Sequence, residues 1–277
     1  MNETQRDHWN SDEAQHWVTA QDRYDRQLQP FGDAVIEAAA IEPTDRVLDI
    51  GCGCGATTIA AASRAAGVLG ADLSEPMLER ARRTAADTDV DNAEFVVADA
   101  QTHAFGPGLF DVAICRFGVM FFDDPSQAFA NVAVGLRSGG RLAFACWREL
   151  TANEWLLTPG LAASAHVPLP DTGPPGGPGM FSLADPNVVV NVLEGAGFDD
   201  ILVTPFDVQM LLAGGGTVGE TVEFLLSTGI GKAMFDGAEP TAAAAGLDAV
   251  KKVLAEHHDG EGVRLGAAAW LVTARRP

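Results

Sequence analysis

The stretch VLDIGCGCGATT, Val47 to Thr58, decides how the rest of the chain is read. A short apolar run ends in alternating glycines, Gly51, Gly53 and Gly55, and passes directly into an Ala/Thr-rich segment. This is the pattern of a strand turning sharply into a helix. Glycines at such a turn let backbone N–H groups approach a ligand at the helix N-terminus. Gly51, Gly53 and Ala56 also satisfy the G-x-G-x-x-A form of the dinucleotide fingerprint, so the loop alone does not name its ligand.

Three acids narrow the choice. Asp49 stands just before the first glycine, where a carboxylate repels pyrophosphate but suits a cationic amino group. Asp72, about 20 residues after the loop, suits a ribose hydroxyl under either reading. Asp99 can accept from an adenine amino group. The C-terminal half offers no hydride-transfer constellation. An adenosine ligand carrying an ammonium group fits three acids better than a dinucleotide does.

Outward from the loop, strand and helix alternate. Strands are expected at Arg46–Gly51, Gly67–Leu73, Ala93–Asp99, Leu109–Cys115 and Gly139–Trp147, with helices at Thr57–Ala66, Ser74–Asp87 and Asp124–Leu136. Ser74 is the N-cap of its helix, with Glu75 and Pro76 in the first turn. Such alternation predicts an α/β fold with a doubly wound, mostly parallel sheet. A helix is expected over Ser11–Leu28, broken at Pro30 and Gly32, with a second over Asp33–Ala40. Val167–Pro186 is rich in Pro and Gly and reads as a mobile covering loop. Beyond it come a helix at Asn187–Gly195, a sixth strand from Gly197, a helical insertion over Gly214–His258 and a last strand from Val263. The chain divides into an N-terminal helical lid (1–43), a ligand-binding core (44–147) and a cap with the completing strands (148–277), all one domain.

Composition excludes other classes. The 277 residues carry a formal net charge of −20 and no basic stripe, which disfavours nucleic acid. No apolar run approaches membrane-spanning length, and the polar start MNETQRDHWN lacks a signal-peptide layout, so a cytoplasmic location is expected. Cys52 and Cys54 look like half a metal site, but nothing completes it. With Cys115 and Cys146 they read as reduced cysteines packed near strand ends, and no metal is expected.

VLDIGCGCG, GADLSEPML, VVADA, LFDVAICRFGVMFF and GGRLAFACW, in this order, resemble the successive motifs of class I methyltransferases, closest to the type-11, quinone-biosynthesis-like branch. The resemblance is dense over Thr44 to Trp147 and looser over the Trp9/Trp17 helix and GMFSLADP. It implies a Rossmann-like, seven-stranded sheet in the order three-two-one-four-five-seven-six, with the last strand antiparallel. It implies S-adenosylmethionine as cofactor and S-adenosylhomocysteine as product.

By the same resemblance, Gly51, Cys52, Gly53 and Gly55 wrap the methionine portion and Asp49 anchors its amino group. Asp72 binds the ribose, Leu73 and Met77 flank the adenine, Asp99 and Ala100 meet its edge, and Cys115 and Arg116 close the methionine side.

The acceptor reads as a small apolar or aromatic metabolite such as a polyketide, quinone or phenol. Phe117, Met120, Trp147, Met180 and Phe181 are candidates for its wall, with Phe121 and Trp155 beside them, and Trp9 and Trp17 for a lid. Strand four ends in CRFG rather than the Asn/Asp-Pro-Pro-aromatic signature of base-nitrogen methylation, and no Pro-Cys nucleophile suggests cytosine chemistry. Alignment of acceptor, methyl and sulfur is the main catalytic need, and a base serves only an acceptor that must lose a proton early. His16, beside Trp17, is the histidine candidate for that role. The assembly candidate is a homodimer. Two other readings stay open: a nicotinamide-dependent oxidoreductase, and a non-catalytic binding protein on the same fold.

Overall fold

The computed structural model describes residues 3–169 and 177–277. The middle of the Pro/Gly-rich loop expected over Val167–Pro186 lies outside the described residues.

Three N-terminal helices, α1 (Glu3–His8), α2 (Asp12–Thr19) and α3 (Gln21–Ala38), lead into the sheet. The core then runs β1 (Arg46–Ile50), α4 (Ala56–Ala62), β2 (Gly67–Asp72), α5 (Glu75–Asp87), β3 (Ala93–Val97), β4 (Phe110–Arg116), α6 (Pro125–Gly135) and β5 (Leu136–Trp147). The remainder is α7 (Glu154–Ser164), α8 (Pro186–Gly195), β6 (Asp199–Leu211), α9 (Val218–Ser227), α10 (Gly229–Phe235), α11 (Pro240–Ala255) and β7 (Arg264–Arg275).

The seven strands form one sheet in the order β3-β2-β1-β4-β5-β7-β6, the order that the resemblance implies. β7 is antiparallel to both its neighbours, while the pairs among β1 to β5 are parallel. Pro205 is tolerated in β6 because that strand is at the sheet edge and pairs only with β7. The order reverses between β1 and β4, and ligands in open α/β sheets bind at the carboxyl ends beside such a switch point.

Helix starts follow the sequence closely. Ser74, Asp124 and Asp185 each accept a backbone N–H at the N-terminus of α5, α6 and α8, and Pro occupies the first turn of each. Thr217 and Glu220 form a reciprocal capping box on α9.

The N-terminal helices depart from expectation. α3 runs straight through Pro30 and Gly32, and the chain bends at Ala20 instead. An interior proline costs a helix about 3 kcal/mol. α3 buries Leu28, Phe31, Val35 and Ile36, each contributing roughly 1.5–3 kcal/mol, so packing outweighs the break. At the bend, Thr19 Oγ1 donates back to the Gln15 carbonyl at 2.7 Å, a pattern that distorts helices. The bend folds α2 onto α3 and stacks Trp17 on Tyr24, ring centroids 3.7 Å apart.

Candidate active site

The carboxyl ends of β1, β2, β3, β4 and β5 open into a cavity of about 530 Å³. Ile50–Cys54, Ala71–Leu73, Ala98–Ala100, Arg116–Gly118 and Trp147 line it from the sheet. Its volume is in the range of small-molecule sites.

The glycine loop is held by protein contacts as well as by its own flexibility. Gly51, Gly53 and Gly55 all have positive φ, where a side chain is strained. A Cβ on Gly51 would lie 3.0 Å from Gly118 Cα, and one on Gly55 would lie 2.9 Å from Ala81 Cβ. The glycines therefore let the loop pack tightly against the end of β4 and against α5. Gly51 and Gly53 line the cavity, whereas Gly55 does not.

Asp72 sits on the wall and fixes the loop: Gly53 N–H donates to its Oδ2 at 2.8 Å and Ser74 N–H to its Oδ1 at 2.9 Å. Burial raises its pKa, and these backbone donors oppose the shift. Leu73, Met77, Asp99 and Ala100 also line the cavity, and Asp99 Oδ1 accepts the Gln101 N–H at 2.9 Å.

Asp49 lies elsewhere. It is fully buried behind the loop and does not line the cavity, so the expected direct anchor for an amino group does not match its placement. Along β1 the side chains alternate, and Ile50 takes the cavity face. Thr57 and Thr58 hydroxyls donate to Asp49 Oδ2 at 2.6 and 2.7 Å, tying the loop to the start of α4. Asp49 Oδ1 has no partner among the described residues. Burial pushes the carboxyl up to about 6, against the two hydroxyls and the nearby Arg116.

Arg116 does line the cavity, facing α3 near Gly32, while Cys115 is buried behind it. Next to Arg116 is an acid that the sequence reading missed, Asp25 on α3, also on the wall. Burial raises its pKa and the Arg116 charge opposes the rise. Arg116 is the one lysine or arginine on the wall among the described residues.

The opposite side of the cavity is apolar. Trp9, Trp17, Phe117, Met120, Trp147 and Met180 line it, with Phe121 and Trp155. Phe117 stacks on Trp147 at 4.0 Å, and Trp155 lies 5.3 Å from Trp147. Phe181 packs against the core and does not line the cavity. The described part of the Pro/Gly-rich loop is tied to the turn Gly118–Phe121, since Gly179 N–H and Ser182 Oγ both donate to the Met120 carbonyl. The cap completes the wall with Val222 and Phe224 of α9, Ile230 and Met234 of α10, and Val250 of α11.

His16 does not line the cavity either. It packs edge-on against Tyr24, with Nε2 lacking a partner among the described residues, and burial lowers its pKa. A histidine one residue before Trp17 points a full helical step away from it, so adjacency in sequence misleads. Asn10 was also missed: its side chain donates to the Leu73 carbonyl at 3.0 Å and accepts the Glu75 N–H at 3.3 Å, fastening the N-terminal segment over the end of β2.

Cys52, Cys54, Cys115 and Cys146 are free and buried, with no disulfide among the described residues. Burial pushes the Cys54 thiol up to about 12, so it is a poor nucleophile. Among the described residues, no cluster of three His, Cys, Asp or Glu side chains is placed to hold a metal, and no helix is long and apolar enough to cross a membrane.

Comparison with known proteins agrees with this geometry. A family model described as a methyltransferase domain matches residues 47–140. That match covers the glycine loop and the sheet through the start of β5. The aklanonic acid methyltransferase DauC of Streptomyces sp. (strain C5) is 36% identical over 118 residues, 42% of this chain and 54% of that protein. The uncharacterized methyltransferase YcgJ of Bacillus subtilis (strain 168) is 33% identical over 107 residues, 39% of this chain and 42% of its own length. The chain thus spans about half the length of these curated relatives. The crystal structure of YcgJ superposes with a TM-score of 0.57 at 17% identity, covering 90% of this chain and 98% of YcgJ. The [4+2]-cyclase SpnF gives a TM-score of 0.56 at 22% identity, covering 90% of this chain and 81% of SpnF. At these identities the structural likenesses show the fold alone, and they extend it beyond the domain match to most of the chain.

Proposed function

We propose that this chain binds S-adenosylmethionine at the glycine-loop end of the cavity and methylates a small apolar or aromatic molecule under the cap. One observation carries the reading. A single cavity joins the glycine loop, Asp72 and Asp99 to the aromatic wall of Phe117, Trp147 and Trp155.

The residues present fit the cofactor. Asp72 keeps lone pairs beyond its two backbone bonds and can accept from ribose hydroxyls. Leu73 and Met77 would flank the adenine, with Asp99 and the Ala100 backbone at its edge. Cys52, Gly51 and Gly53 present loop backbone to the amino-acid portion. Asp25 and Arg116 place opposite charges on the same wall, matching an α-ammonium and an α-carboxylate. Asp49 acts behind the loop, fixing it to α4 through Thr57 and Thr58.

Bound there, the cofactor supplies an activated methyl group on a sulfonium centre. The chain's own contribution is to align the acceptor and exclude water. Trp9 packs edge-on against Phe121 at 5.3 Å, and Met180 lines the cavity, so the N-terminal helices and the described end of the Pro/Gly-rich loop serve as a two-sided lid. One relative is named aklanonic acid methyltransferase, and that name supports a small-molecule acceptor. Net charge of −20 supports a substrate other than nucleic acid.

Calorimetry tests the reading: S-adenosylmethionine and S-adenosylhomocysteine bind one site per chain and NADH does not. Transfer of labelled methyl to a panel of polyketides, quinones and phenols then tests the acceptor class. NADH binding without a response to either adenosyl ligand would overturn the proposal.

A further inference from the structure

We propose that the Tyr24 hydroxyl is the hydrogen-bond donor that orients the acceptor, so that the acceptor is an apolar ring system bearing a carbonyl or phenol oxygen. This deepens the proposed function and rests on it.

Tyr24 is the one tyrosine in the chain, on the part of α3 that lies between the glycine loop and the cap. The next residue, Asp25, belongs to the charged end of the cavity; Phe224 of α9, 4.9 Å from the Tyr24 ring, belongs to the apolar end. The ring is clamped: it stacks on Trp17 with planes 5° apart, meets Phe224 edge-on, and is only 6% exposed. A clamped ring aims its hydroxyl in one direction.

No hydrogen bond to that hydroxyl is present among the described residues, only burial and the Glu13 charge act on it, and the residue lines the cavity. Three neighbouring polar side chains on the wall, Gln27, Trp17 and Trp155, are satisfied. Gln27 Oε1 accepts the Ala213 N–H at 2.7 Å, and Trp17 Nε1 donates to Glu13 Oε1 at 3.2 Å. Trp155 Nε1 donates to Asn153 Oδ1 at 3.0 Å. Buried polar groups in native proteins have partners, and one left over at a cavity surface is completed by what the cavity binds. Burial and the nearby Glu13 push the phenol pKa upward, so the group stays a neutral donor over the working pH range. The indole of Trp147 is a rival donor on the same wall, 4.0 Å from Phe117 in a stack.

The test uses α-tetralone and tetralin, a ring system with and without a carbonyl, added to the full chain saturated with S-adenosylhomocysteine. Because there is a single tyrosine, isotope-labelled tyrosine gives one assignable resonance. α-Tetralone should shift that resonance and bind roughly tenfold more tightly than tetralin. Tyr24→Phe keeps the stack and removes only the hydroxyl. It should abolish the ketone preference while tetralin affinity, cofactor affinity and melting temperature stay unchanged. Trp147→Phe should retain the preference. The inference is overturned if the native chain shows no preference, if the preference survives Tyr24→Phe, or if it disappears in Trp147→Phe instead. Failure of S-adenosylhomocysteine to bind the native chain fails the methyl-transfer reading itself, and this inference with it.

Discussion

The Asp72 carboxylate reaches from the end of β2 to the Gly53 N–H, 2.8 Å away, so the residue expected to hold the ribose also sets the glycine loop. Asp72→Ala removes an acceptor for two backbone donors, Gly53 and Ser74. The variant should fold but lose about 1–3 kcal/mol of stability. Its affinity for S-adenosylhomocysteine should fall by about 1.5–3 kcal/mol as well. Thermal melting and calorimetry on the same sample check both. Unchanged affinity in the folded variant would place the ribose elsewhere.

Asp49 gives a pH dependence of defined sign. Its folded value of about 6 lies above the ordinary carboxylate value of 3.8, so between these the folded state holds more protons than the unfolded one. Stability contributed by this group is therefore fully present below pH ~4 and is lost as pH rises from there through ~6. Asp49→Asn can keep both threonine bonds through its amide oxygen without the buried charge. It should be more stable than the native chain at neutral pH by up to ~3 kcal/mol, with the gap closing towards pH ~4. Urea denaturation of both proteins across that range measures it, and a constant gap would contradict the burial cause.

Gly118→Ala tests the contact between the end of β4 and the loop. A Cβ there would sit 3.0 Å from Gly51 Cα and 3.2 Å from the Ile50 carbonyl oxygen. Overpacking of this kind costs about 1–3 kcal/mol and should displace the loop, so stability and cofactor affinity fall together. Gly195→Ala, with open space around its Cβ, is the control and should be neutral or slightly stabilising.

Deleting residues 1–20 removes Asn10, Trp9 and Trp17 but none of the sheet. The truncated chain should melt cooperatively, bind S-adenosylhomocysteine more weakly and transfer methyl slowly, because water reaches the cavity. Hydrogen exchange of the native chain should show α2 and residues 177–186 gaining protection together when ligand binds. Normal turnover of the truncated chain would remove the lid role.

Methyl transfer should continue in EDTA, as the proposed chemistry needs no metal. Loss of turnover on chelation, restored by one divalent ion, would revise the mechanism.

The sheet and its helices were legible because their signals are local. Short apolar runs, Ser74, Asp124 and Asp185 at N-caps, and prolines in first turns each state their element within a few residues. Features set by tertiary packing were not. α3 passes through Pro30 because its far side is buried, and the bend at Ala20 has no turn residue to announce it. Asp49 was misplaced although a signal existed: the adjacent Thr57 and Thr58 are the hydroxyls a buried carboxylate at that strand position needs. Tyr24 and Asp25 lie in a helix whose cavity face depends on where the cap helices settle, and nothing in their neighbours fixes that. The same reason hid Phe224, Ile230 and Met234, which read simply as an amphipathic insertion.

The chain has five tryptophans, and Trp9, Trp17, Trp147 and Trp155 all face the same cavity. Only Trp270 stands apart, with its indole N–H on the Ala184 carbonyl at 2.8 Å. Intrinsic ultraviolet emission is therefore dominated by chromophores within contact range of any occupant. A quinone or other electron-poor aromatic entering the cavity should quench most of that emission, and a saturated ring of equal size should shift its colour instead. The molecule thus carries its own optical gauge for screening compounds, without a coupled assay or an attached dye.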